Sequence, residues 1–237
     1  EEALKRASVA PDGVDEVIIG TVLQAGQGQI PSRQATTKAN IPYSIKTETI
    51  NKVCASGMRA ITLADQLIRL GEESIIVAGG MESMSNAPYY LPKGRFGLRM
   101  GDSKLVDGMI YDGLSCAFHK GNVHMGIYGN ETAESFGITR EAQDAWAVRS
   151  HTKAAQSTEK FAEEIVPITI PQRKGEPIIV SKDESIRPAT TIEALSNLKS
   201  AFSKDGTITA GNAPGVNDGA CAIVLMSEKR ATQEGRK

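Results

Sequence analysis

Cys54 lies in the stretch TINKVCASGMRAITLADQLIRLG, residues 49–71, at the seam between two patterns. A β-prone run from Ile45 to Val53 precedes it, and Ala55 to Leu70 after it has the spacing of an amphipathic helix. A thiol at the first turn of a helix faces unpaired backbone N–H groups and the positive end of the helix dipole. Both favour thiolate over thiol. The flanking Ala55, Ser56 and Gly57 keep bulk away, so a carbonyl could approach the sulfur. The same N–H groups could then meet the oxyanion formed on attack. Free cysteine is also among the most buried residue types, and from position alone a structural thiol is the commoner case.

Other residues bear chemistry less directly. Gly79-Gly80 follows an apolar run and would let the backbone turn where no side chain fits. Glu82 then arrives at the C-terminal end of a sheet, where sites form in α/β proteins; it is either catalytic or an acceptor for loop amides. In VHMGIYGNET, residues 123–132, His124 and Met125 beside Gly126 could line an apolar channel or simply pack. TITAGNAPGVNDGACAIVLMSE, residues 207–228, encodes tight turns before a buried strand, as a ligand-approach loop or only a hard corner. Arg187, with Lys174, Lys182 and Lys199 near it in sequence, could meet an anion or form a solvated face. Cys116 and Cys221 have apolar neighbours in sequence and read as core.

The elements that must position these residues follow from pattern. The 237 residues carry 27 basic and 28 acidic side chains, a formal net charge of -1. That balance creates no general field for nucleic acid or an anionic membrane. No apolar run approaches the ~18 residues of a membrane span. Three scattered cysteines argue for a reducing, cytoplasmic setting and against a disulfide framework. Three histidines and no C-x-x-C pair argue against a metal site. EEALKRASVAPDG reads as a charged helical piece rather than a targeting segment.

The spacing predicts a helix at 1–9, a buried strand at 16–22, a helix near 32–39, a strand at 45–53, a helix at 55–70 and a strand at 74–78. Strand, helix, strand in this order is a βαβ unit with parallel, buried strands. GACAIVLMSEK closes the chain with another buried strand and the start of a helix. Between them, residues 81 to about 207 are rich in Pro, Gly and Met, with one clear helix over 139–161 capped by Thr139. This reads as an excursion inserted between two strands of one sheet.

Taken together and in order, NKVCASGMRA, IIVAGGMESMSNAP, MGDS with DGM, HMG, ITREAQDAWAVRSH, EEIVPI, DESIRPATTIEAL and TITAGNAPGVNDGACAIVLMSE resemble the thiolase family over essentially the whole chain. The pattern is most similar to the acetyl-CoA acetyltransferase branch, with the long-chain 3-ketoacyl-CoA thiolases close behind. The resemblance implies a layered α/β fold, a mixed sheet between helices with a large inserted loop domain. It divides the chain into a first part of the N-terminal domain (1–85), the loop domain (86–207) and a return to the N-terminal domain (208–237). It implies Claisen condensation of two acetyl-CoA to acetoacetyl-CoA, and the reverse thiolysis, through an acyl-enzyme on Cys54. Coenzyme A thioester is substrate, with no separate cofactor and no metal.

By the same resemblance, Leu114, His124, Met125, Arg187, Phe202, Ala210 and Pro214 meet the coenzyme A substrate. Lys93–Arg99 matches a loop used in assembly to homodimers or homotetramers, with the 45–53 strand near the dimer contact. Pro214 stands where many biosynthetic members have Ser, removing a hydroxyl, and Tyr128 falls near the pocket mouth. The family's activating histidine, second cysteine and water-holding asparagine match nothing here, since the chain starts after the family's first strand and stops near its C-terminal domain. His119, His151, Cys116 and Cys221 sit in none of those motifs, so the chain alone is expected to turn over little. The alternatives are a degradative thiolase of broader chain length and a non-catalytic coenzyme A-binding fragment that needs a partner chain.

Overall fold

A computed structural model describes residues 1–119 and 121–236. The chain forms two compact units, Glu1–Ser115 with Val216–Lys237, and Cys116–Gly215. In chain order the first unit begins with α1 (Glu2–Arg6), β1 (Glu16–Gly20), α2 (Pro31–Lys38), β2 (Lys46–Ile50), α3 (Ser56–Leu70) and β3 (Ile75–Ser83). The second contains α4 (Met125–Ser135), α5 (Arg140–Gln156), α6 (Thr158–Glu164), β4 (Ile168–Ile170), β5 (Ile178–Val180) and α7 (Ile192–Ser196). The chain then returns to the first unit with β6 (Asp218–Met226) and α8 (Glu228–Gln233).

The sheet of the first unit is mixed, in the order β6-β3-β1-β2. β1 pairs in parallel with β2 on one side and β3 on the other, and β6 runs antiparallel to β3. Glu-Val-Ile-Ile-Gly in β1 is buried at every position, as a central parallel strand covered on both faces must be. The two-residue strand period sorts its side chains into two layers. Val17, Ile19, Ile75 and Val77 meet Leu4, Val9, Val14 and Ile41 on one face. Ile18, Ile76 and Ala78 meet Ala60 and Ala64 of α3 on the other. Ala60 and Ala64, one turn apart and both 0% exposed, bring α3 close to the sheet.

Several expectations change against this frame. β2 is an edge strand that alternates exposed Lys46 and Glu48 with half-buried Thr47, rather than a buried one. β6 is the opposite edge: Asp218 to Ile223 are exposed and only Val224–Met226 are half-buried. Gly79 and Gly80 do not turn the chain; β3 runs through them to Ser83. Residues 86–115, given by sequence to the inserted segment, cluster with the first unit, and 208–215 with the second.

In the second unit, Thr139 caps α5 by accepting from the Ala142 N–H at 3.2 Å, as the sequence indicates. The single helix expected over 139–161 is instead two, broken at Ser157, which serves as C-cap of α5 and N-cap of α6. Beside the buried Ala133 and Leu195, this unit buries the polar Asp144 and Thr209. Asp144, 1% exposed, accepts from Arg140 Nε at 2.8 Å and from Asn212 Nδ2 at 2.9 Å. Arg140 also donates to the carbonyls of Leu195 and Leu198, and Asn212 binds Thr207 O and Thr209 N. A buried pair satisfied on this many sides ties α5, α7 and the 207–212 turn together.

Candidate active site

Strain marks the turn that carries Cys54. Val53 has φ +51°, left-handed backbone that a β-branched side chain rarely adopts, at a cost of roughly 1–3 kcal/mol. The surroundings hold it there. Val53 N–H donates to Asn51 Oδ1 at 2.9 Å, and Asn51 Nδ2 donates to Val22 O at 3.3 Å. Ser56 Oγ donates to Val53 O at 2.6 Å and accepts from the Lys52 N–H at 2.8 Å. The helix begins at Ser56 with Ala55 as N-cap, so Cys54 precedes the cap by one residue rather than sitting in the first turn. Its sulfur-bearing side chain is exposed. No side chain caps α3, and the Gly57 and Met58 N–H groups have no acceptor among the described residues.

Glycine lets this helix end reach the sheet. A Cβ on Gly20 would lie 2.3 Å from Ser56 C and 2.6 Å from Gly57 N, so only glycine fits at the end of β1. Gly57 in turn faces Gly80: a Cβ on Gly80 would stand 3.4 Å from Gly57 Cα. A Cβ on Gly79 would fall 2.0 Å from the Cys221 carbonyl oxygen. The two glycines in β3 thus serve close approach, one to α3 and one to β6, which is why no turn occurs there.

Glu82 resolves toward the second of its sequence readings. Its Oε2 accepts from Val22 N–H at 2.9 Å, and its Oε1 from Leu23 N–H at 3.1 Å and Thr21 Oγ1 at 3.4 Å. The carboxylate is a clamp on the segment after β1. A cavity of about 380 Å³ opens at this place, lined among others by Gly20, Thr21, Cys54, Gly57, Glu82 and Cys221. Cys221 is exposed and lines this cavity rather than the core, because β6 is an edge strand. Its place opposite Gly80 in the β3–β6 register is what the sequence could not display.

The other sequence candidates divide between units. Leu114 ends a π-helical segment, Met109–Leu114, in the first unit and is half-buried. His124, Met125, Arg187, Phe202, Ala210 and Pro214 belong to the second. Two of them meet directly: the His124 and Phe202 rings stack with centroids 4.6 Å apart. His124 caps α4, its Nδ1 accepting from Gly126 N–H at 3.0 Å, which leaves the proton of the neutral ring on Nε2. A Cβ on Gly126 would strike the Phe202 ring at 2.2 Å, so the His-Met-Gly order is set by a cap and a packed ring. Met125, Arg187, Ala210 and Pro214 are exposed. The Arg187 backbone N–H donates to His151 Nδ1 at 3.2 Å. Cys116 is half-buried rather than core; its sulfur faces His119 Nδ1 at 3.6 Å, and Tyr128 bonds the same nitrogen. Among the described residues no group of three or more His, Cys, Asp or Glu could hold a metal, and no helix is long and apolar enough to cross a membrane.

A family model for the thiolase N-terminal domain matches residues 1–229. The chain belongs to the thiolase family. Among curated thiolase-family relatives, an acetyl-CoA acetyltransferase of Cupriavidus necator is 53% identical over 98% of this chain. A probable acetyl-CoA acyltransferase of Staphylococcus aureus (strain COL) is 51% identical over the same share. The chain spans 59% of the length of each. The crystal structure of the Bacillus anthracis acetyl-CoA acetyltransferase superposes with a TM-score of 0.93 at 41% identity, covering 100% of this chain and 59% of that one. The Syntrophomonas wolfei acetyl-CoA acetyltransferase gives 0.91 at 41% identity, covering 99% of this chain and 59% of that one. The thiolase-like layered α/β fold, a mixed sheet flanked by helices, is therefore established for this chain.

Proposed function

We propose that Cys54 is the acyl-accepting nucleophile of an acetyl-CoA acetyltransferase. The observation that carries this reading is the exposed Cys54 lining a cavity, on a strained turn that leads into a helix whose Gly57 and Met58 N–H groups have no acceptor among the described residues. Strain that the surrounding bonds over-determine is characteristic of sites where a side chain must be held in place. In the first step the sulfur attacks the thioester carbonyl of acetyl-CoA. A carbon–sulfur bond forms to Cys54, the bond to coenzyme A breaks, and the coenzyme A thiol leaves. The Gly57 and Met58 N–H groups are offered as donors to the charge on the carbonyl oxygen. In the second step C2 of another acetyl-CoA gives up a proton to a general base, and the resulting carbanion forms a carbon–carbon bond to the acyl carbon. The carbon–sulfur bond to Cys54 breaks, and acetoacetyl-CoA leaves as the Cys54 thiolate takes up a proton. Thiolysis is the reverse.

The same reading assigns coenzyme A contact to Leu114, His124, Met125, Arg187, Phe202, Ala210 and Pro214, and assembly into dimers or tetramers to the protein. The names of the relatives support an acyl-coenzyme A substrate. The test is to mix the protein carrying this chain with acetyl-CoA, quench in acid and map the acetyl group by peptide mass. Acetyl on Cys54, abolished in Cys54→Ala, is the expected result. Acetyl on another residue, or none, sinks the assignment. The broader name of the Staphylococcus relatives keeps longer acyl chains in view. Thiolysis faster on 3-ketohexadecanoyl-CoA than on acetoacetyl-CoA would favour that reading.

A further inference from the structure

Away from Cys54, a second thiol has titratable neighbours arranged around it. Cys116, His119 and Tyr128 all belong to the second unit, and none of them lines the Cys54 cavity. His119 Nδ1 lies 3.6 Å from Cys116 Sγ and 2.6 Å from the Tyr128 hydroxyl oxygen. The two rings meet edge to face, with centroids 5.6 Å apart and planes at 62°. When Nδ1 carries the proton it donates toward the sulfur. The phenol oxygen, 2.6 Å from the same nitrogen, shares that proton with the sulfur, so a thiolate there faces the imidazole N–H with the phenol beside it. Cys116 is half-buried, and Ala117, Phe118 and His119 beside it are exposed, which leaves the sulfur accessible to a small molecule.

We propose that Cys116 is a thiol-modification site that forms mixed disulfides with low-molecular-weight disulfides. The Cys116 thiolate attacks one sulfur of R–S–S–R, forming a new S–S bond as the old one breaks. The departing half leaves as a thiolate and takes a proton from solvent. Cys116 is oxidised, the departing half is reduced, and the disulfide is the only oxidant required.

The electrostatics agree with the geometry. The His119 ring foremost, then Tyr128 and the Phe118 backbone N–H, pull the Cys116 thiol from 9.0 down to about 6. The same sulfur pushes the Tyr128 phenol up to about 12, with Glu131 adding to the effect. At about pH 6 such a thiol is roughly half ionised, against about a thousandth for an unassisted one. Its weaker intrinsic nucleophilicity returns a factor of about 20, leaving a net gain of about 20-fold at about pH 6 and only about fourfold at about pH 7. The advantage therefore shows in acid.

The experiment exposes the chain to glutathione disulfide at about pH 6 and about pH 7, blocks remaining thiols, and follows each cysteine by peptide mapping. Folded wild type is compared with His119→Gln/Tyr128→Phe and with wild type unfolded in urea. Cys116 should react about 20-fold faster in the folded wild type than in either comparison at about pH 6, the ratio falling to about fourfold at about pH 7. Circular dichroism shows whether the variant keeps its helices; if it does not, the folded-against-unfolded comparison decides alone. A Cys116 rate within about twofold of the unfolded chain at about pH 6, or no mixed disulfide on Cys116 at all, overturns the proposal.

Discussion

At the scale of single residues, the site is made by side chains that fix backbone rather than by a crowd of reactive groups. Cys54 has its place because Ser56 and Asn51 hold Val53 in left-handed backbone. Glu82 fixes the facing wall by accepting from two N–H groups that lie about 60 positions earlier in the chain. The consequence is testable. In Glu82→Gln one oxygen becomes an NH₂ group, and either amide orientation leaves Val22 or Leu23 N–H facing a donor. Leaving one such donor unsatisfied costs about 1–3 kcal/mol, so chemical denaturation should show a loss of that size with an unchanged m-value. Stability equal to wild type would mean that the carboxylate is not a clamp. The sequence placed Glu82 at the right end of the sheet but could not choose between acid and clamp. Its partners are distant in sequence, and only the β1–β3 pairing brings them near.

Elements were legible where periodicity was strong and misread where a residue's partner lies elsewhere. β1, α3 and β3 could be read because apolar runs and helical spacing report burial directly. In sequence Gly79-Gly80 has the character of a turn because the sequence shows the glycines and not the Cys221 carbonyl and Gly57 backbone pressed against them. The break between α5 and α6 falls at Ser157 without a glycine or proline to mark it. Contact between β1 and the start of α3 gives a paired prediction. Gly20→Ala puts a methyl 2.3 Å from Ser56 C and 2.5 Å from Ser56 O, backbone atoms that cannot rotate away. The start of α3 must shift, so we expect a loss of about 1–3 kcal/mol and slower acetylation of Cys54, by tenfold or thereabouts. Gly57→Ala meets nothing nearer than Gly80 Cα at 3.7 Å and sits in a helix, where alanine is favoured. Its thermal stability should be equal to wild type or higher. Equal damage from both substitutions would show that the close approach at Gly20 is not what positions the helix.

For the whole molecule, the excursion from the sheet was visible in the sequence but its limits were not. Residues 86–115 have no period to attach them to either unit, and the clustering of Glu1–Ser115 with Val216–Lys237 appears only once β6 returns to pair with β3. A formal charge of -1 leaves no large overall field, so the pH dependence of stability is decided by individual carboxylates. Most of the perturbed ones are lowered: Asp218 by the Ser85 hydroxyl and N–H, Glu234 by Arg236 and Arg230, Glu2 by Arg6. Each contributes stability that is present above its unfolded value and lost as pH falls through its folded value. Glu16 opposes them. It is 6% exposed, and burial pushes its carboxyl above the ordinary 4.5, with Lys46 pulling it down and Glu48 and Glu72 pushing it up. The folded chain therefore holds this proton longer than the unfolded chain. The contribution of Glu16 is complete below about pH 4.5 and shrinks as pH rises through the raised folded value. Glu16→Gln removes that dependence while the lowered carboxylates cancel in the comparison with wild type. The difference in melting temperature, variant minus wild type, should climb in favour of the variant as pH rises above about 4.5 and level off once pH has passed the raised folded value. A flat difference would show that Glu16 titrates alike in the folded and unfolded chain, and a falling one that a partner, not burial, governs it.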